Sequence, residues 1–222
     1  GRFPFALQNH AQAVALSDKS RSVVLRSQAL ANLAECLCRM GRVREAANEA
    51  ERAEKSVREA NNPAISYAFN TILAEIKLAA GDYQGAHQVV ARLDQDAKHN
   101  QATYIVGHAL YVAANLNFIL GDFETSRTCI ERLRRLKTRE APFYERELAD
   151  ALYARILAES GYLQKALALL RSLEKEVVQK QWPYQECVIK LHLCELYIKQ
   201  GSPDIAEQYA RNALELSEAM EA

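Results

Sequence analysis

Apolar residues recur along the chain with a helical period, and the period is itself repeated. Leu33, Ala34 and Cys36 are followed 40 residues on by Leu73, Ala74 and Ile76, then by Ala113, Ala114 and Leu116, by Tyr153, Ala154 and Ile156, and by Leu193, Cys194 and Leu196. Within each set the spacing puts the apolar side chains on one helical face, with a small residue where another helix must come close. Gly41, Gly81, Gly121, Gly161 and Gly201 follow these sets at a constant distance, and Gly1 stands in the same register. A glycine just past the last periodic residue takes left-handed dihedrals without a Cβ penalty and ends the helix there.

A second periodic set follows each glycine. Val43, Tyr83, Phe123 and Leu163 lie two residues on, and Ala46, Ala86, Ser126, Ala166 and Ala206 five residues on. Ala53, Leu93, Leu133, Leu173 and Ala213 lie twelve residues on. Each unit therefore predicts a hairpin of two helices, A and B, with its elbow at the glycine. Asp82 and Asp122, and Ser202 in the last unit, are placed to cap helix B. Asn62-Pro63, Ala141-Pro142 and Trp182-Pro183 open three of the A helices, proline being suited to a first helical position. Pro203 opens the final helix, and the third unit begins near Asn100-Gln101-Ala102-Thr103.

A fixed period of this length signals tandem repeats. The predicted organisation is one repeat domain over 1–222, with about 11 helices. It comprises a leading helix B over 1–19 and repeats at 20–60, 61–100, 101–140, 141–180 and 181–222. A leading helix B without its helix A suggests a piece cut from a longer array. The last helix, Pro203–Met220, reads as Ile205, Ala206, Tyr209, Ala210, Ala213, Leu214 and Leu216. It is expected to lack a polar outer face, and so to continue into further chain or to contact another molecule.

Leu73-Ala74, Gly81-Asp82-Tyr83 and Ala86 resemble the tetratricopeptide repeat over almost the whole chain. The units depart from that pattern in length, 40 residues against about 34, and in lacking an aromatic residue early in helix A. Their length is similar to that of repeat arrays in bacterial signalling regulators, including the sensor region of MalT-like transcription activators. The resemblance implies an all-α, right-handed superhelical solenoid that acts as a non-catalytic scaffold. A protein segment, peptide or small effector would lie in its concave groove, within a larger regulatory protein.

By the same resemblance, the groove-facing columns stand thirteen, ten and six residues before each glycine. Their polar members are Gln28, Glu35, Thr71, Glu75, His108, Tyr111, Asn115, Arg155 and Glu195. Tyr104 extends the stripe by one turn of the same helical face. Independently of any family, the six-before column, Glu35, Glu75, Asn115, Arg155 and Glu195, is polar in every unit although its neighbours are apolar. His108, Tyr111, Asn115 and Arg155 are expected to form a central polar and aromatic patch.

Charge narrows the alternatives. The 28 basic residues balance 28 acidic ones, so no net field favours nucleic acid or an anionic membrane. Arg127–Arg139 is locally basic and offers a nucleic-acid contact as an alternative function. Ile130, Leu133 and Leu136 between its charges, and the favourable placement of cations near a helix C-terminus, read more simply as a solvated helix face. No apolar run approaches a membrane span, and self-association through the last helix is the other alternative.

The five cysteines match no zinc-knuckle spacing and are expected to be buried free thiols in a reducing compartment, the cytoplasm. The histidines form no metal or catalytic motif, so the expectation is no enzyme, no cofactor and no metal. Glu35 and Glu75 share a column, but their helices should lie roughly 8–10 Å apart, too far for direct chelation of one ion.

Overall fold

The computed structural model describes residues 3–96, 103–136 and 144–221. Among them all regular structure is α-helical, in eleven helices: α1 (Phe3–Ser20), α2 (Val23–Arg39), α3 (Val43–Ala60), α4 (Pro63–Ala79), α5 (Tyr83–Asp96), α6 (Thr103–Ile119), α7 (Phe123–Arg135), α8 (Tyr144–Glu159), α9 (Leu163–Gln179), α10 (Pro183–Gln200) and α11 (Pro203–Glu221). Pro142 and the start of the third unit at 100–102 lie outside the described residues. The chain forms two compact units, Arg2–Val112 and Ala113–Ala222.

The elbows follow the repeated glycines. Gly41, Gly81, Gly121, Gly161 and Gly201 all have φ between 74° and 86°. At the first elbow the Gly41 N–H donates to Cys38 O at 2.9 Å and the Arg42 N–H to Leu37 O at 2.9 Å. The same pair of bonds recurs at the other four, satisfying carbonyls that the helix end would leave open. Helix B starts on a side-chain cap in the second and third hairpins. Asp122 accepts from the Thr125 N–H at 3.0 Å, and Asp82 accepts from the Gly85 N–H at 2.9 Å.

The return elbow from B to A is also left-handed, at Arg21, Asn61 and Gln181. These residues again stand in one column of the 40-residue repeat, but none is glycine, so the sequence does not announce it. Asn62 caps α4, accepting from Ala64 N–H at 3.0 Å and Ile65 N–H at 3.2 Å.

Small residues let the hairpins close. Ala34, Ala74, Ala114 and Ala154 on the A helices are fully buried, as are Ala46, Ala86 and Ala166 on the B helices. The third hairpin has Ser126 in the latter column. Its hydroxyl, also fully buried, donates to Ala114 O at 2.7 Å, so the one polar substitution in that column is satisfied across the hairpin.

In the first unit Leu30, Leu37, Phe69 and Ile72 extend this core from hairpin to hairpin, and Tyr67, Val89, Leu93 and Val112 continue it. In the second unit Leu167, Leu170, Val177, Ile189, Leu193 and Leu196 do the same. Helix A packs on the helix A of the next hairpin, α2 on α4 and α8 on α10.

The final helix corrects one expectation. Its outward positions include Glu207, Gln208, Arg211, Asn212, Glu215 and Glu218 beside exposed Ile205 and Leu214. The outer face is mainly polar, because the residues between the apolar ones carry the charge.

Candidate functional site

Within each unit, α2 beside α4 and α8 beside α10 bring residues 40 apart close together. In the Ala113–Ala222 unit, Arg155 on α8 meets Glu195 on α10 at 3.2 Å, and Lys199 pairs with Glu159. The Arg155 guanidinium also lies 4.4 Å from the centre of the Phe118 ring, an arrangement that attracts a cation to the ring face. His192 joins this group with Nδ1 3.5 Å from Glu195 Oε2. Burial, with Arg155 nearby, depresses the His192 pKa despite its acidic neighbour, while His192 holds the Glu195 carboxyl below its ordinary value.

In the Arg2–Val112 unit the same column brings two like charges together, Glu35 on α2 and Glu75 on α4. Two basic side chains answer them. Arg39 pairs with Glu35 at 2.6 Å, and His108 Nε2 on α6 lies 3.1 Å from Glu75 Oε2. Burial opposes charge on both members of that last pair. The hydrogen bond and mutual attraction outweigh it, holding Glu75 below and His108 above their ordinary values. Cys38, buried beside this group, is pushed up to about 12 by burial and by Glu75, so it stays a thiol.

Single ligand atoms of Glu35, Glu75 and His108 all lie within 4.8 Å of one another. This departs from the expectation that the two glutamates stand too far apart to share an ion. Helix-axis spacing does not limit glutamate side chains that lean towards each other, and His108 approaches from a third helix. His108 follows Glu75 by 33 residues, one repeat less two helical turns. That staggered spacing was the overlooked signal.

The other predicted residues divide. Gln28 is exposed; Tyr111, Asn115 and Arg155 are half-buried and Glu195 is exposed. Thr71 is a correction: it is fully buried, and its hydroxyl donates back to Tyr67 O at 3.1 Å, so it faces the core and not a groove. The Tyr104 side chain lies outside the described residues. Tyr111 belongs to the first unit and Asn115 to the second, so each is part of its own unit's surface.

The basic segment is engaged in ion pairs along α7. Arg127 pairs with Glu124 at 2.8 Å and Arg135 with Glu131 at 3.8 Å. Arg134 pairs with Asp150 at 2.6 Å and lies over the Tyr153 ring. Lys137 and Arg139 lie outside the described residues.

A second polar network, unread from sequence, joins α9, α10 and α11. Buried Lys190 donates to Glu174 at 2.7 Å, Tyr209 donates to the same carboxylate at 3.2 Å, and Tyr209 stacks on Tyr197. All five cysteines are free, three of them buried. No helix among the described residues is long and apolar enough to cross a membrane.

No family model matches the sequence, and no curated protein does. Solved structures do. BtubC (BKLC) from P. vanneervenii is 14% identical with a TM-score of 0.61, over 100% of this chain and 93% of that one. A Podosopora anserina putative kinesin light chain with nearly identical TPR-like repeats is 15% identical with a TM-score of 0.54, over 88% of this chain and 97% of that one. A variant of it is 16% identical with a TM-score of 0.55, over 86% and 94%. Identities this low speak for the fold alone: the chain is an all-α array of tetratricopeptide-like repeats, a fold widely used to bind other proteins.

Proposed function

We propose that the chain is a non-catalytic binding scaffold, one repeat domain over 1–222, that recognises a protein segment or peptide on its A-helix faces. The observation that carries this reading is the six-before column. Glu35, Glu75, Asn115 and Arg155 keep partial solvent access and Glu195 is exposed. Most of their neighbours, such as Ala34, Ala74, Leu116, Ala154 and Leu196, are buried. Within each unit, accessible polar groups on a tightly packed backing suit main-chain and side-chain recognition of a peptide segment.

Arg155 over Phe118, beside Glu195 and exposed Leu191, supplies cationic, acidic and apolar contacts in one place. The five free cysteines support a reducing compartment, the cytoplasm. The 40-residue units favour a sensing or docking role inside a larger regulator, as in MalT-like arrays.

Peptides selected from a random displayed library against the whole chain test this reading. With far-UV circular dichroism unchanged, Arg155→Ala is expected to weaken at least tenfold the peptides that dock on the Ala113–Ala222 unit, and Tyr111→Ala those that dock on the Arg2–Val112 unit. Selected peptides that bind both variants as tightly as the wild type overturn it. Exposed Ile205 and Leu214 on α11 favour self-association as a second reading. Light scattering at several concentrations distinguishes it: a mass independent of concentration argues for the scaffold.

A further inference from the structure

The like-charged column pair in the Arg2–Val112 unit has no counterpart in the other unit, where the equivalent positions are Arg155 and Glu195. We propose that Glu35, Glu75 and His108 form a binding site for a divalent transition-metal ion of the zinc, cobalt or manganese class, joining α2, α4 and α6.

The distances suit such an ion. His108 Nε2 and Glu75 Oε2 lie 3.1 Å apart. Two ligands bound at about 2.1 Å stand roughly 3.0 Å apart at an octahedral edge and roughly 3.4 Å apart at a tetrahedral one. The whole ligand set spans no more than 4.8 Å, and rotation about a glutamate side chain closes the remainder. All three ligands are half-buried, so the ion would exchange only part of its hydration shell for protein atoms, and water would complete its coordination.

The donor chemistry selects the metal class. One imidazole nitrogen with two carboxylates suits borderline first-row ions better than calcium or magnesium, which prefer all-oxygen sets. Cys38 is not among the side chains whose donor atoms gather within 4.8 Å, so the set is one imidazole and two carboxylates without a soft thiolate. Arg39 pairs with Glu35 at 2.6 Å, an outer partner that orients the carboxylate. His108 coordinates through an unprotonated Nε2, so on binding the ion takes the place between Nε2 and Glu75, and a proton held at Nε2 leaves to solvent or passes to Nδ1.

Equilibrium dialysis of the whole chain against Co²⁺ alone tests the site, read by stoichiometry and by the visible and near-ultraviolet spectrum. The expected result is one saturable Co²⁺ per chain, d–d bands without the intense thiolate charge-transfer band, and competition by Zn²⁺. Glu75→Gln and His108→Gln, checked for folding by circular dichroism, should each weaken binding at least tenfold. Cys38→Ser should leave it unchanged. In the unmodified chain Zn²⁺ should raise the melting temperature with concentration, a readout independent of the variants' folding. Absence of saturable one-to-one binding, a thiolate charge-transfer band, or wild-type affinity in both ligand variants overturns the proposal.

Discussion

Replacing Gly161 by alanine isolates what the repeated glycines do. Gly161 joins α8 to α9 with φ at 86°; its N–H donates to Ala158 O at 3.1 Å, and the Tyr162 N–H donates to Leu157 O at 2.8 Å. An added Cβ meets nothing within 4 Å, so the substitution causes no clash and its cost is purely torsional. A non-glycine residue in the left-handed region costs roughly 1–2 kcal/mol. Alanine recovers about 0.4–1 kcal/mol by restricting the unfolded chain. The difference is a destabilisation of about 1 kcal/mol.

The reverse experiment is Gln181→Gly, at an exposed residue held at φ 56°. There the torsional relief exceeds the entropic loss, and a stabilisation of about 0.5–1 kcal/mol is expected. Urea titrations followed by far-UV circular dichroism measure both. Repeat arrays need not unfold in one step, so hydrogen exchange at the amides flanking each elbow should accompany them. The reasoning fails if Gly161→Ala is as stable as the wild type or more so, or if the two variants shift in the same direction.

Other outcomes follow from the polar networks. Lys190→Ala removes the cation from a largely buried pair with Glu174 at 2.7 Å and should cost about 3 kcal/mol or more, visible as a lower urea midpoint with protection lost first in α9 and α10. His192 titrates below its ordinary value through burial, with Arg155 and Glu195 facing it. A depressed histidine pKa means that the unfolded chain binds its proton first. The His192 contribution to stability is therefore fully present above about pH 6.5 and declines as pH falls towards the folded value. Denaturant midpoints at successive pH values check this, and His192→Gln should flatten the acid-side slope relative to the wild type.

What the sequence decided alone is the repeated hairpin. The left-handed elbow needs glycine, and the crossing helices need alanine-sized residues. Both demands are met by one residue type at one position in each unit, so they print as columns at Gly41, Gly81, Gly121, Gly161 and Gly201 and at Ala34, Ala74, Ala114 and Ala154. The polar six-before column was legible for the same reason: a half-exposed position in an apolar face stands out in the alternation.

Tertiary structure decided the pairings. Glu35 with Glu75 and Arg155 with Glu195 are neighbours because successive A helices pack in register, so a 40-residue separation becomes a contact. His108 on α6 reaches Glu75 on α4 at a separation of 33 residues, outside the 40-residue column. Thr71 was misread because its place in the column depends on helix rotation, and the fold turns it inward onto Tyr67. Local periodicity records which face of each helix is buried, but which side chains meet across two helices depends on their relative rotation and stagger, and those arise only when the helices pack.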